Sequence, residues 1–447
     1  MLHPRIPLLS RGLLFLSLAG LAAAGGFWPQ FRGPGASGLA TGPPTPTKWN
    51  VETGEKILWK TPIPGLAHSA PIIWKDRIYV TTVVSPEEAE LKIGLYGDIR
   101  SAEDKGIHRW HLVAIERATG KVLFDKLGHQ AAPRSQRHTK ATQCNSTPAT
   151  NGEYIVAYFG SEGMFCFNME GELVWKKDLG GMDAGYFQVP TAQWGFASSP
   201  VIHGNKVVVQ CDVQKDSFLA VFDLATGEEI WRTVRTDVPT WSTPTVAEWE
   251  GKTQILINGW RHTGGYDFKT GTEIWKLKGG GDIPVPTPVV GKGLAYFTSA
   301  HGIDRPVRAI RLSAKGDITP PDIKETNEAI SWVHPRRGNY MQTPILIGDR
   351  LYACDDRGSL TCFDATDGRI LYSQRLPGNG FTASPVSDGR HLYVICEYGE
   401  IWVVKVGDVY EEAAINEMGD NCLATPAIAD GKLYFRTQRS LVAIGDR

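Results

Sequence analysis

Beyond residue 50 the hydrophobic positions fall in short runs such as "KVVVQC", "LYAC" and "LYVIC", each bounded by Gly, Asn or Asp turn formers. Runs this short, without a 3.6-residue rhythm, predict strands and not helices. The runs come in a fixed order. A first half-unit reads small residue, Thr or Ser, Pro, apolar pair, turn, apolar strand, as in "SSPVIHGNKVVVQ", "PTPVVGKGLAYFTS" and "QTPILIGDRLYAC". A second half-unit follows with an apolar strand, a Thr-Gly or Asp-Gly turn and a last strand carrying an aromatic. Its copies are "AIERATGKVLFDK", "AVFDLATGEEIWRT", "GYDFKTGTEIWKL" and "CFDATDGRILYSQ".

The prolines of the first half are Pro71, Pro148, Pro200, Pro244, Pro288, Pro344, Pro385 and Pro426, spaced by 77, 52, 44, 44, 56, 41 and 41 residues. A period near 41–44 with insertions is that of four-stranded propeller blades. Such a blade cannot cover both of its faces alone, and a ring of neighbours covers them. The recurrent aromatics Trp59, Phe124, Trp175, Trp231, Trp275, Trp332 and Tyr372 are placed to fill between blades, while the seventh unit lacks one. The last unit ends after "SLVAIGDR", one strand short, and "VETGEKILWK" near the start supplies the missing piece. The expectation is an all-β protein: an eight-bladed β-propeller of four-stranded antiparallel blades over 51–447, with residues 55–60 completing blade eight. Closing the ring in this way leaves no exposed stack ends.

The first 25 residues change the picture. Arg5 and Arg11 precede "LLFLSLAGLAAAGG", the pattern of a secretory signal peptide, which places the mature protein in a secreted or periplasmic setting. Residues 26–50 then read as an extended segment ahead of the ring. The 47 Lys and Arg against 48 Asp and Glu point to no nucleic-acid partner. The seven cysteines are odd in number, form no CxxC and mostly sit inside strand runs, where small buried hydrophobes are expected.

Turns joining the first to the second strand, and the third to the fourth, are short. The long connections therefore share one face, and that face is expected to bind. Blade one carries the largest additions: residues 84–109 and "GHQAAPRSQRHTKATQC", with His129, Arg134, Arg137, His138 and Lys140. "DLGGMDAGYFQVPTAQWGF" brings Tyr186, Phe187, Trp194 and Phe196. Residues just before the prolines should approach the axis: His68, Asn145, Phe196, Trp241, Tyr340 and Phe381. Nearby loops offer Arg261, His262, His301, Asp304, Arg305, Asp355 and Glu397, and "SWVHPRRGNYM" offers His334, Arg336 and Arg337 as a carboxylate clamp or ordinary surface charge. Together they outline a polar funnel with aromatic walls, suited to a peptide, a glycan or a planar ligand, or simply a water-filled channel mouth. No GxxxxGK, HExxH, CxxCH or GxSxG motif is present, and His108 with His111 lacks a third metal ligand in the sequence.

The repeats resemble those of the quinoprotein (PQQ-like) β-propeller superfamily over about residues 50–446. The opening "FWPQFRGPGASGLA" is similar to the mature start of secreted PQQ-like proteins of planctomycete-type bacteria. The resemblance implies one of two branches. Quinone-dependent dehydrogenases hold pyrroloquinoline quinone and Ca²⁺, use an Asp base and often carry adjacent cysteines; here no two cysteines are adjacent. The outer-membrane β-barrel assembly propeller is an eight-bladed, non-enzymatic lipoprotein that binds through its loops; this chain has no lipidation cysteine near the cleavage zone. The expectation is a monomeric, non-catalytic scaffold for an envelope protein or polysaccharide, without a transmembrane domain after signal cleavage. The alternatives are a PQQ- and Ca²⁺-dependent oxidoreductase, with Trp241 and Phe381 in the ceiling over its quinone, or a glycan-active protein.

Overall fold

The computed structural model describes residues 26–94, 99–189 and 191–447. The expected signal segment lies outside the described residues. The rest is an eight-bladed β-propeller of antiparallel sheets. Blade three shows the plan, with strands A to D at Val201–His203, Lys206–Cys211, Phe218–Asp223 and Glu229–Val234, paired in that order. Blade eight is built from Ala427–Ala429, Lys432–Arg436 and Ser440–Ile444, and Ile57–Pro62 pairs with Ser440–Ile444 as its outer strand. The first and last parts of the chain are thus hydrogen-bonded in one sheet.

Strands B and C read as unbroken hydrophobic runs because both faces are covered. In strand B of blade three, Val207, Val209 and Cys211 pack toward blade two, and Val208 packs toward blade four. The core is therefore a ring of clusters between blades, not one central core. All seven cysteines are buried and unbridged, most of them filling these seams.

The Thr-Gly turn and the aromatic are two halves of one joint. Trp175 of blade two lies on Gly227 of blade three's C–D turn and donates Nε1–H to the Leu224 carbonyl at 2.9 Å. Trp59, Trp231 and Trp332 donate in the same way to Arg117, Phe268 and Ala365 of the following blade. Gly227 has φ +70°, and a Cβ there would stand 2.7 Å from the indole, so both the backbone and the packing demand glycine. The register slips by one residue beside each of these aromatics, as between Val221 and Phe222. That bulge turns the ring toward the next blade.

Two joints depart from the plan. Blade five has no Thr-Gly turn: strand C, Val307–Arg311, and strand D, Ile330–His334, are joined by a long loop. Part of that loop, Gly316–Asp317, adds a parallel strand outside Glu273–Leu277 of blade four, and Trp275 turns inward to Gln254. Blade seven has Ala414 where the aromatic would stand. Trp49 fills the space from the N-terminal segment, 5.8 Å from Phe435, with its amide bonded to Asn416.

Residues 26–50, the expected extended segment ahead of the ring, are hydrogen-bonded to several of its blades. Phe27–Trp28 adds a strand to Ile72–Trp74 of blade one, and Pro29 accepts from Thr150 of blade two. Leu39 bridges to Ser387 of blade seven. The segment crosses the channel and closes one end of it.

A blind cup on the propeller axis

The closure depends on Arg32, which is fully buried. Its five N–H donors reach five carbonyls: Nε to Ala36, Nη1 to Thr343 and Pro385, Nη2 to Ser37 and Pro344. No carboxylate meets it. Burial without a counter-ion pulls its pKa down to about 9. Phe31, the residue before it, faces the other way and becomes the floor of a cavity of about 450 Å³.

Above that floor the wall repeats with the blades. Directly before each proline stands a hydroxyl residue, Ala70 in blade one excepted: Thr147, Ser199, Thr243, Thr287, Thr343, Ser384 and Thr425 all line the cavity. Each oxygen that takes part accepts the backbone N–H of its counterpart in the preceding blade. Ala70 donates to Thr147, Thr147 to Ser199 and Ser199 to Thr243, at 2.9–3.0 Å. After a break, Thr287 donates to Thr343, Thr343 to Ser384 and Ser384 to Thr425, each at 3.0 Å. The Thr287 hydroxyl, at the break, has no partner among the described residues. None of the six accepting hydroxyls donates its own hydrogen to a described residue.

Two residues earlier comes a second ring, because alternate residues of an extended chain face the same way. Blades three to six supply an apolar arc, Ala197, Trp241, Val285 and Met341; the other side holds Thr382, Leu423, His68 and Asn145, polar but for Leu423. His68 donates from Nε2 to the Lys140 carbonyl at 2.9 Å, and burial, aided by Arg436, Arg137 and Lys140, holds its pKa down at about 4. Its ring is neutral at pH 7.

Of the expected site residues, His68, Asn145, Trp241, His301 and Tyr340 meet in this cup. Asn145 spends its amide on Thr142 and the Phe196 carbonyl. His301 bonds Asp282 at 2.6 Å beside Tyr186, and burial raises the Tyr340 hydroxyl well above its usual range. Phe196 and Phe381 do not face the axis: each lies one residue before the ring position and so points into a seam, against Tyr158 and Trp402. Ala197 and Thr382 take their places. The signal was in the sequence, as the third residue before each proline, and counting back four loses it.

The loop residues divide in the same way. Arg261 and His262 are turned outward because Asp237 binds both of their amides at 3.0 Å, while Asp237 itself is held in a fully buried cluster with Arg235 and Asp212. His262 then meets Glu273 on strand D. Asp355 caps its own turn through the amides of Arg357 and Ser359, and the neighbouring Asp356 and Arg357 line the cup instead. Arg336 lies exposed beside Arg305 on the rim.

Blade one's additions fold over this mouth. Ser101–Ala102 pairs with Arg137–His138, and buried Arg137 is clamped by Asp104 with two bonds of 2.8 Å. Arg134 pairs with Asp178, and His129 Nε2 meets Glu162, so both side chains are engaged within the fold. Lys140 lines the cup and is ion-paired with Glu397 of blade seven, a wholly buried carboxylate that also takes Thr382 and the Gly94 amide. Trp194 stacks on Tyr186 with centroids 5.7 Å apart and leans on Trp241.

This donor set does not fit a quinone with its metal. Among the described residues no three His, Cys, Asp or Glu side chains gather as a metal-holding group. The nearest carboxylates, Glu397 and Asp282, are already spent on Lys140 and His301, and Asp356 alone lines the cup. Phe381, expected in the ceiling over a quinone, is in the core.

Solved structures share the architecture at low identity. BamB from Moraxella catarrhalis is 14% identical, covers 82% of this chain and 100% of its own, and superposes with a TM-score of 0.53. The C-terminal WD40 domain of Sif2 is 12% identical over 88% and 98%, with a TM-score of 0.55. A europium-containing methanol dehydrogenase is 11% identical over 94% and 90%, with a TM-score of 0.51. These likenesses are of fold alone. No curated protein matches the sequence. The family model described as outer membrane protein assembly factor BamB matches residues 111–374 and 325–444, and the chain belongs to that family of PQQ-like repeat propellers.

Proposed function

We propose that this protein is a non-catalytic binding scaffold of the cell envelope that holds a protein partner on the rim of the cup. The observation that carries the reading is the composition of that rim. Ile303 is 84% exposed and Ile99 49% exposed, beside four arginines: Arg305 and Arg357 share the single carboxylate Asp356, and Arg336 and Arg337 are ion-paired with no described carboxylate. Exposed apolar side chains among arginines in excess of carboxylates suit an interface with an apolar and acidic surface. The opposite face offers short turns and the plug. The signal segment and the family both support an envelope setting.

The test is site-specific photocrosslinking in cells of the source organism, from Ile303 on the rim and from Lys292 on a turn of the opposite face. A discrete adduct from Ile303 alone, lost when Arg336 and Arg357 are changed to Glu, is expected. Equal labelling from both faces would count against the rim. Reduction of a redox dye by the protein loaded with pyrroloquinoline quinone and Ca²⁺ or a lanthanide ion, on an alcohol or sugar, would replace the scaffold with an oxidoreductase.

A further inference from the structure

We infer that the cup itself is a binding site for a small organic anion: a carboxylate on the propeller axis, facing the hydroxyl collar, with an apolar body against Trp241, Val285 and Met341. This goes beyond the rim contact and does not depend on it.

Three observations converge. First, the collar is half satisfied. Six hydroxyls accept a backbone N–H, yet keep their own hydrogens undonated, and all line the cavity. Thr287 lines it too, and its buried hydroxyl has no partner among the described residues. A set of O–H donors facing one axis calls for acceptor oxygens, and an ionised oxygen makes the strongest such bonds.

Second, the charge around the collar is positive and uncompensated. Arg32 lies beneath it, bonded to carbonyls of the collar segment itself and ion-paired with no described carboxylate. Arg436 is 2% exposed, bonded to Ser69 beside Ala70, the one collar position without a hydroxyl, and is ion-paired with no described carboxylate. Two buried guanidinium groups without counter-ions favour an anion over a neutral group at the same place. Lys140 is balanced by Glu397, and Asp356 with Arg305 and Arg357 belongs to the rim above.

Third, the remaining wall is apolar on one side only. The arc of Ala197, Trp241, Val285 and Met341, from blades three to six, faces a side on which His68, Asn145 and Thr382 carry the polar groups and Leu423 is the one apolar member. A fully polar ligand would leave that arc unused. A cavity of about 450 Å³ lies in the range of small-molecule sites. The carboxylate has two possible sources, a free organic acid or the C-terminus of a peptide, and the chemistry at the collar is the same for both.

The test is calorimetric titration of the full chain with N-acetylphenylalanine and with its carboxamide, which differ only in the anion. The acid is expected to bind at least about tenfold more tightly than the amide. Thr287→Val should reduce that preference several-fold without loss of stability, since its hydroxyl has no partner among the described residues. Leu423→Trp, which fills the cup, should abolish binding. A tetrapeptide ending in a free phenylalanine that binds as tightly as the acid would identify a chain terminus as the source; binding of the acid alone would identify a free small molecule. Equal affinity of acid and amide, or no binding of either at millimolar concentration, overturns the inference. An unaltered preference in Thr287→Val overturns the role of the collar. Rim crosslinking that persists in Leu423→Trp separates this site from the scaffold reading.

Discussion

The two ends of the propeller axis are built from the same eight strands and treated in opposite ways. At one end every donor of Arg32 has an acceptor, and the segment that carries it is joined to blades one, two, six and seven. On the side that opens into the cup, six collar hydroxyls donate their hydrogens to no described residue, and the Thr287 hydroxyl has no partner among the described residues. Full satisfaction makes the first end structural. Unspent donors, facing a space of ligand size, make the second a place where something else completes the bonding.

The largest expected effect tests the closed end. Arg32→Ala leaves five carbonyls without their donor and should cost about 3–5 kcal/mol, read as a shift in the urea midpoint at unchanged slope. It should also remove the floor, so acid binding falls with it. Next come two glycines of the plug. Gly33 has φ +70° and a Cβ there would meet the Trp28 ring at 2.6 Å, so Gly33→Ala should cost about 2–4 kcal/mol. Gly35 has φ +60° with nothing within 4 Å, and Gly35→Ala should cost only about 1 kcal/mol of backbone strain. Equal costs would mean that the plug is not packed as described.

The open end responds to pH. The folded pKa of His68 is about 4 against 6.5 for a free side chain, so the unfolded chain binds the proton first. Stability therefore falls as pH drops from about 6.5 to 4, by on the order of 1–2 kcal/mol for a partly solvated ring. His68→Gln, which retains a donor for the Lys140 carbonyl, should flatten that part of the acid limb; an unchanged limb would show that His68 is not held neutral. The smallest effect is that of Thr287→Val, within about 0.5 kcal/mol of the parent or above it. A large loss there would mean that the hydroxyl has a structural partner.

The repeat was legible because every blade carries one half of each of two joints in a short stretch: in "TGEEIW" the turn receives the preceding blade's Trp175, and Trp231 covers the next blade's turn. The cup was legible in part. His68, Asn145 and Trp241 sit at the third residue before their prolines, whereas Phe196 and Phe381 stand at the fourth and are buried against neighbouring aromatics. The turns of Arg261 and His262 away from the axis were not legible, since Asp237, more than twenty residues earlier, decides them.

The sequence by itself determined the blades, their number and the closure of the ring, because strand period, turn chemistry and aromatic joints act between neighbours. Only the tertiary structure decided that the ring is a cup. Three of the five bonds from Arg32 end on carbonyls 311 to 353 residues away, and the collar exists only when eight separate hydroxyl or alanine positions are brought around one axis. Contacts between distant positions leave no periodic trace in the chain, so the pattern that built the walls was silent about the floor.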